Sequence, residues 1–587
     1  MQDRCDCRRA LAPEPFAAPD APVRRVPDRP VDVLSVALDV SVDLEGRSVE
    51  GRVEHRVKAV AETVDAVTLD AVALTILDAR LDGVDAPFSH DGERLVVRPP
   101  KPWRRGDEHV VEISYRGRPE RGLWFVAPDA DRPDKPLQAW TQGQDEDSRF
   151  WFPCFDHPQH KTPTEVRASV PRGLLAVSNG ALVERVDRGD RTIFHWRQKA
   201  PHASYLVTLV VGAFDVVEDR AGAVPLKYCV PRGRRGDALR TFGRTPKMVE
   251  LFGRLFSAPY PYEKYDQLVV SDFIFGGMEN TSATTLYEYV MLDASVEDAA
   301  DSDWLIAHEL GHQWFGDLVT CRDWAHAWLN EGFATYCETL WYEMGVDPER
   351  GRKHLLDTAR AYFDEARESY RRPIVSGRYD APTDLFDRHL YEKGACVLHH
   401  LRLELGDEVF FRAVSRYVAA HRDGSTETVD LRRAAEAESG KDLGAFFDQW
   451  VFAPGHPELQ VRHRWDAAAK RLTLSVKQTQ RRDDGTPLFR LRTRCRVWFA
   501  RGHVDRTFEV SDAEHRFQWD LDDDPVGVRF LAEGAPLVAL DFERPEGFLV
   551  TQLERDDDLF ALAEAADALG ASGARGATEA LAKALAR

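Results

Sequence analysis

The stretch "AHELGHQWFGD", residues 307–317, contains the pattern His308-Glu309-x-x-His312. On an α-helix, residues four apart lie on one face with their Cβ atoms about 6 Å apart, so both imidazoles can reach one metal ion while Glu309 lies nearby. The same pattern also arises when a helix surface simply carries two histidines. Because a catalytic zinc site needs a third protein ligand and one open position, the rest of the chain must decide between these interpretations.

Glu331 is the candidate for the third ligand. It lies in "AWLNEGFATYCETLWYEMG" (327–345), with eighteen residues between His312 and Glu331. The apolar spacing of this stretch predicts a second helix. If that helix returns beside the first, the carboxylate of Glu331 lies next to both histidines. The sequence therefore predicts a site of two histidines and one glutamate that holds one zinc ion per chain.

Length and composition limit the classes of protein to consider. A chain of 587 residues is too long for one core and suggests three or four domains at roughly 150 residues each. The net charge of -20 argues against nucleic acid or an anionic membrane as a partner. The first residues, "MQDRCDCRRALAPEPF", lack an apolar signal segment, and the eight cysteines are mostly scattered singly. We therefore expect reduced thiols and a cytoplasmic location.

The pattern of apolar residues changes along the chain and predicts a multidomain α+β protein. Alternation from Val31 on is typical of antiparallel strands, the period shifts towards 3.6 near residue 235, and alternation returns after Pro457. We expect a disordered or strap-like leader at 1–30, an antiparallel β domain at 31–217, a helical domain at 218–455, a small β-sandwich at 456–548 and a helical hairpin at 549–587. A single hairpin cannot bury both of its apolar faces, so it is expected to begin a truncated solenoid.

Further motifs occur in a fixed order along the chain. They are "WFPCFDHP" (151–158), "GGMEN" (276–280), "YEKGA" (391–395) and "FFDQWVFAPGHPEL" (446–459). Together with the spacing of His308, His312 and Glu331, they make the chain resemble the aminopeptidase N family of gluzincin zinc peptidases over roughly residues 31–550. The resemblance implies an N-terminal β-saddle, a thermolysin-like catalytic domain, a β-sandwich and a HEAT-like helical solenoid.

The resemblance also assigns catalytic roles. It implies that Glu309 is the general base that takes a proton from zinc-activated water and passes it to the leaving amine. Tyr391, the first residue of "YEKGA", aligns with the tyrosine of the family that donates a hydrogen bond to the oxyanion. Taken alone, Tyr391 would be a packed core tyrosine, and the motif is what changes that interpretation.

Recognition of the substrate amine is expected to involve the "GGMEN" loop. Gly276 and Gly277 allow a peptide backbone to approach closely, and Glu279 offers a carboxylate to an ammonium group. The predicted substrate-binding residues are Gly276, Gly277, Met278, Glu279, Asn280, Gln142, Gln144 and Phe275, of which Gln142 and Phe275 are expected to line the site for the first side chain. The chain differs from the family that it resembles at Gln144, where that family usually has a glutamate. A glutamine can accept a hydrogen bond from an ammonium group but adds no charge.

The predicted function is a zinc-dependent aminopeptidase that acts on peptides with a free N-terminus, with no obligate protein partner implied. One alternative is an epoxide hydrolase or bifunctional enzyme of the leukotriene hydrolase type, since that branch also has glutamine at the position of Gln144. Such an enzyme needs a deep apolar tunnel, which one sequence does not reveal. A second alternative is a catalytically silent scaffold, which would have little reason to keep the histidines, both glutamates and the tyrosine together.

Overall fold

The computed structural model describes residues 16–17, 21–296, 301–530, 535–572 and 576–585. The predicted leader at 1–30 therefore lies partly outside the described residues. Its described part contacts the helical region, since the N–H of Arg24 donates to Gly377 O at 2.7 Å. Among the residues that the structure describes, no helix is both long enough and apolar enough to cross a membrane.

The N-terminal region is built on an eight-stranded sheet. In spatial order its strands are Ala181–Arg188, Arg191–Ala203, Lys161–Pro171, Val31–Asp43, Ser48–Ala59, Glu108–Gly117, Leu74–Leu81 and Val84–Asp85. The sheet departs from the purely antiparallel arrangement expected, because Val31–Asp43 pairs in parallel with Lys161–Pro171. Alternation within one strand shows which face is buried but not the direction of its neighbour, so a partner from a distant segment leaves no local signal.

Smaller sheets complete this region. A four-stranded sheet has the order Leu123–Val126, Gln138–Thr141, Leu209–Gly212 and Leu175–Ser178, a three-stranded sheet has the order Val67–Asp70, Arg94–Val97 and Phe88–His90, and Thr63–Val64 pairs with Trp103–Arg104. The strand Gln138–Thr141 leads directly into Gln142. It is tied to the segment before the "GGMEN" loop, because the indole N–H of Trp140 donates to Ser271 O at 3.1 Å.

A mixed five-stranded sheet follows and carries the "GGMEN" loop at its edge. Its strands lie in the order Phe214–Ala221, Val224–Pro231, Tyr265–Val270, Ala283–Tyr287 and Gly277–Met278. The predicted domain boundary at 217/218 thus falls inside the first of these strands. The sequence did not predict this sheet inside the helical region, because its central strand Tyr265–Val270 is buried along its whole length and shows no alternation.

The rest of the described chain contains twelve α-helices. They are α1 (Arg235–Phe242), α2 (Thr245–Leu255), α3 (Asp303–Gly311), α4 (Trp328–Trp341), α5 (Pro348–Glu368), α6 (Gly394–Leu405), α7 (Asp407–His421), α8 (Thr428–Ser439), α9 (Gly444–Phe447), α10 (Glu546–Arg555), α11 (Leu559–Ser572) and α12 (Ala577–Leu585). A π-helical turn, His389–Lys393, leads into α6. Helices α3 and α4 pack against each other, and α4 also packs against α6. These contacts bring the "HExxH", "NEG" and "YEKGA" segments together.

The C-terminal part contains two sheets and three helices. One sheet has the order Glu514–Asp520, Arg471–Gln478, Glu458–Asp466 and Ala539–Phe542, and the other has the order His503–Val510, Leu491–Trp498 and Gly527–Phe530. The chain after the last strand forms α10, α11 and α12 rather than the single hairpin expected at 549–587. The missed helix α10 buries Leu549 and Leu553, which lie four residues apart and pack with Ala565 and Leu569 of α11. The mixed α+β, multidomain fold class is confirmed.

Candidate active site

His308, His312 and Glu331 converge at the contact between α3 and α4. The imidazole Nε2 atoms of the two histidines lie 3.1 Å apart. An oxygen of Glu331, Oε2, lies 3.1 Å from Nε2 of His312 and 3.4 Å from Nε2 of His308. All three side chains are buried. Glu331 lies in the first turn of α4, and the packing of α4 against α3 covers this turn.

These distances fit a tetrahedral zinc site. Two ligand atoms bound to zinc at about 2.0–2.1 Å in tetrahedral geometry lie about 3.3 Å apart, which is close to all three separations. The set of two imidazole nitrogens and one carboxylate oxygen is also one that catalytic zinc favours. Burial opposes protonation of His308, but hydrogen bonds to Glu331 and Glu338 raise its pKa to about 9. A metal ion at this point would take the place of the proton between the imidazole and the carboxylate.

Two outer contacts orient the histidines. Nδ1 of His308 lies 2.8 Å from Oε1 of Glu338, and Nδ1 of His312 lies 2.9 Å from Phe315 O. Such partners fix the tautomer and ring orientation of a metal-binding histidine. The sequence analysis did not single out Glu338. A signal was present, because Glu338 follows Glu331 by two helical turns and therefore lies on the same face of α4.

Glu309 lies against the edge strand that carries Gly277. A Cβ atom on Gly277 would lie 2.2 Å from Oε1 of Glu309, so a larger residue there would displace the carboxylate. The other oxygen of Glu309, Oε2, is buried and has no hydrogen-bond partner among the described residues. Burial raises the pKa of Glu309 to about 8. A buried, unpaired carboxylate beside three candidate ligands is suited to accept a proton.

The edge strand Gly277–Met278 has one side available for a further strand. The N–H of Tyr287 donates to Gly276 O at 3.1 Å, so Gly276 faces the neighbouring strand Ala283–Tyr287. Because successive residues of a strand alternate, the N–H and C=O of Gly277 point away from that neighbour. The geometry allows an extended peptide to add to this edge by backbone hydrogen bonds.

Glu279 and Gln144 meet next to Glu331. Nε2 of Gln144 lies 3.5 Å from Oε1 of Glu279 and 3.3 Å from Oε1 of Glu331. Glu279 is buried, and its backbone oxygen accepts a hydrogen bond from Gln313 at 2.9 Å, which fixes the loop. Asn280 is held by a hydrogen bond from its amide to Thr285 at 3.1 Å. Gln144, at which the chain differs from the family that it resembles, thus lies between two carboxylates.

Gln142 and Phe275, the two residues expected to line the site for the first side chain, have different surroundings. Gln142 is buried, and its Nε2 lies 3.0 Å from the sulfur of Met278. Phe275 is 52% exposed, which places much of its ring in solvent. The structure therefore brings Gln142 and Met278 together, while Phe275 lies at the surface end of the same loop.

Tyr391 lies close to the first histidine. Its ring centroid is 6.0 Å from that of His308, with an angle of 26° between the planes. The π-helical turn His389–Lys393 places Tyr391 here, half-buried, at the start of the helical run that continues as α6. The structure places Tyr391 next to one of the candidate ligands, His308, and its role there stays a prediction.

Comparison with known proteins gives consistent matches. The model described as peptidase family M1 domain matches residues 240–450, and the model described as peptidase M1 N-terminal domain matches residues 32–206. Aminopeptidase M1 of Arabidopsis thaliana is 33% identical over 56% of this chain and 38% of its own length. Aminopeptidase N of Streptomyces lividans is 31% identical over 76% of this chain and 53% of its own length.

A solved structure supports the same fold. The crystal structure of Legionella pneumophila aminopeptidase A in complex with aspartic acid superposes with a TM-score of 0.78 at 20% identity, over 93% of this chain and 64% of that chain. The chain spans about 38% to 54% of the length of the relatives it matches.

Proposed function

The chain belongs to peptidase family M1, the aminopeptidase N family, and on this premise we propose that it is a zinc-dependent aminopeptidase that removes the first residue of peptides with a free N-terminus. Both relatives described above are named aminopeptidases. Each relative is longer than this chain, so its name alone does not establish the activity of this chain. Support for the proposed activity comes from the chemistry of the residues that this chain contains.

One observation carries the proposal. The amide of Gln144 contacts both Glu279 and Glu331, so an oxygen of the candidate amine-binding carboxylate lies within about 7 Å of an oxygen of the candidate metal ligand. In any residue the amine nitrogen and the carbonyl carbon are about 2.5 Å apart. An ammonium held by Glu279 would therefore bring the first peptide bond, rather than a later one, to the metal ligands. This spacing supports release of single N-terminal residues.

The residues present fit a zinc ion, which would be held by His308, His312 and Glu331. When bound, zinc supplies a Lewis acid that polarises the substrate carbonyl and lowers the pKa of water. Glu338 keeps the imidazole of His308 in the orientation needed for a ligand. The edge strand Gly277–Met278 binds the peptide backbone, and this fixes the scissile bond relative to the ligands.

Glu309 and Tyr391 carry the proton chemistry of the proposal. The buried carboxylate of Glu309 accepts a proton from the attacking water and returns it to the leaving amine. The phenolic hydroxyl of Tyr391 donates a hydrogen bond to the oxygen that becomes negative during attack. The ring of Tyr391 lies 6.0 Å from that of His308, and the carboxylate of Glu309 lies against Gly277 of the edge strand that would hold the peptide.

The proposal includes the location of the protein. The six cysteines among the described residues, Cys154, Cys229, Cys321, Cys337, Cys396 and Cys495, are buried thiols. Unpaired cysteines fit a reducing compartment such as the cytoplasm.

A panel of fluorogenic substrates tests the function. Free aminoacyl amides should be hydrolysed and their N-acetylated counterparts should not, and a chelator should abolish activity until zinc is restored. Glu309→Gln, purified in parallel, controls for contaminating peptidases. Equal hydrolysis of free and acetylated substrates, or full activity in chelator, would contradict the proposal. An epoxide substrate in the same panel tests the alternative chemistry directly.

A further inference from the structure

A buried ion pair lies beneath the turn that carries Tyr391. The guanidinium of Arg372 donates to both carboxylate oxygens of Asp387, from Nε at 2.7 Å and from Nη2 at 2.6 Å. The side chains of Arg372 and Asp387 are 3% and 7% exposed. The ring of Phe16 covers the guanidinium, with its centroid 4.7 Å from Cζ of Arg372. Water is therefore largely excluded from this pair.

The pair belongs to a network that is saturated by its own hydrogen bonds. Ligand atoms of Glu365, Asp387 and His389 lie within 4.8 Å of one another, which is close enough to suggest a metal site. However, Nδ1 of His389 already pairs with Glu365 at 2.9 Å, and the hydroxyl of Tyr370 donates to Asp387 at 3.0 Å. A cation would have to displace the guanidinium and leave it buried without its partner, which is costly. The network is better suited to hold the backbone of the turn that carries Tyr391.

Asp387 connects this network to the start of the Tyr391 helix. Its Oδ1 accepts hydrogen bonds from the backbone N–H groups of His389 at 3.0 Å and Leu390 at 3.1 Å. Its backbone oxygen accepts from the N–H of Tyr391 at 3.2 Å. A carboxylate that pairs with the first N–H groups of a helix fixes where that helix begins. Because Arg372 holds Asp387 at two points, the direction of the first helical turn is also fixed.

We propose that Arg372 and Asp387 are positioning residues that hold the hydroxyl of Tyr391 in its catalytic place. The proposal rests on the function proposed above, in which Tyr391 stabilises the oxyanion. A buried ion pair contributes little net stability compared with apolar residues of the same shape. The better explanation for this pair is that it holds Asp387 in one position. A displacement of about 1 Å at a catalytic group can lower a rate by about 100-fold.

The proposal is tested with a double-mutant cycle. Arg372→Lys keeps the charge but loses the two-point contact, and we expect kcat to fall by 10-fold or more with KM little changed. In a Tyr391→Phe background the same substitution should lower kcat by less than 2-fold, because the hydroxyl it positions is already gone. The melting temperature should fall equally in both backgrounds.

A matched pair elsewhere in the chain provides the control. Arg529 donates from Nη1 to both oxygens of Asp556, at 2.8 and 3.0 Å, and these side chains are 3% and 0% exposed. Arg529→Lys should lower the melting temperature by a similar amount and leave kcat unchanged. This control separates loss of a buried ion pair from loss of Tyr391 placement.

The outcomes are distinguishable. If Arg372→Lys lowers kcat equally in both backgrounds, or lowers only the melting temperature, the positioning role is wrong. If Tyr391→Phe alone leaves kcat unchanged, the fault lies in the proposed function instead. If Arg372→Lys does not fold, Tyr370→Phe replaces it in the cycle, because this substitution removes a single hydrogen bond to Asp387. We then expect kcat to fall a few-fold in the wild-type background and to stay unchanged in the Tyr391→Phe background.

Discussion

Gly332 of α4 and Gly394 of α6 lie in direct backbone contact. A Cβ atom on Gly394 would lie 3.1 Å from Cα of Gly332, and a Cβ atom on Gly332 would lie 3.2 Å from Cα of Gly394. Gly332 follows Glu331 directly, and Gly394 follows the turn that carries Tyr391. The two glycines therefore set the distance between a candidate metal ligand and the candidate oxyanion donor. This gives a physical reason for the glycine in "NEGFA" and for the one in "YEKGA".

Gly394→Ala should lower kcat by about 10-fold. Alanine is favoured over glycine inside a helix by about 1 kcal/mol, but here its methyl group meets backbone that cannot rotate away, and overpacking costs about 1–3 kcal/mol. Gly253→Ala is the control, since Gly253 also lies inside a helix and its Cβ would have contacts of 3.6 Å or more. Steady-state kinetics and melting curves of both variants check this, and a fully active Gly394→Ala enzyme would contradict it.

Glu309→Gln should keep one equivalent of zinc and lose most turnover. The substitution leaves His308, His312 and Glu331 in place and removes only the group that accepts the proton. Metal content by elemental analysis and kcat on a free aminoacyl amide are the two measurements. Loss of metal, or activity close to that of the wild type, would show that Glu309 does not act as the base.

Glu338→Gln should weaken zinc binding by about 10 to 100-fold, the usual effect of removing a carboxylate that orients a metal-binding histidine. Glu338 accepts from His308 at 2.8 Å and also from His354 at 2.8 Å. Competition with a chromogenic chelator gives the zinc affinity. Glu343→Gln is the control, because Glu343 pairs with Arg402 and not with a candidate ligand. Equal zinc affinities for the two variants would contradict the orienting role.

Stability should fall as the pH drops from 6.5 towards 4. Burial lowers the pKa of His55 to about 4 and that of His202 to about 3, so between these values and 6.5 the unfolded chain binds more protons than the folded chain. Each such histidine then removes about 1.4 kcal/mol of stability per pH unit. Denaturant unfolding at several pH values should show a flatter slope for His55→Gln. A steeper slope for His55→Gln than for the unmodified protein would mean that the predicted sign is wrong.

The sequence predicted the parts of the site that depend on local spacing. His308 and His312 lie four residues apart on one helix, and Glu331 lies in the first turn of the next, so helical periodicity and a fixed motif were enough to group them. The alternation of Val31–Asp43 likewise predicted a half-buried strand. These features depend on neighbours in the sequence, where residue type and period carry the information.

The features that were not predicted depend on contacts between distant segments. Arg372 and Asp387 are fifteen residues apart in the chain, and both lie in the segment between α5 and the turn that leads into α6. The parallel pairing of Val31–Asp43 with Lys161–Pro171 joins segments more than a hundred residues apart. A polar residue looks the same in sequence whether it is solvated or buried in such a network, so pattern alone could not separate Asp387 from a surface aspartate.

Gln144→Glu tests the departure of this chain from its family. With no substrate present, the amide of Gln144 can donate to Glu279 and Glu331, whereas a glutamate at this position would place a third carboxylate within about 3.5 Å of both. A free ammonium would then bind between carboxylates instead of beside a neutral amide. A hydrogen bond to a charged group is worth about 1.5–3 kcal/mol, and replacing a neutral acceptor with a charged one recovers part of that. We therefore expect kcat/KM to rise several-fold for free-amine substrates, with no matching gain for N-acetylated ones.

Repulsion among the carboxylates favours a shared proton at low pH, so between pH 6 and 9 the gain in kcat/KM should grow with pH. If free and acetylated substrates change equally at every pH, Gln144 does not face the substrate amine.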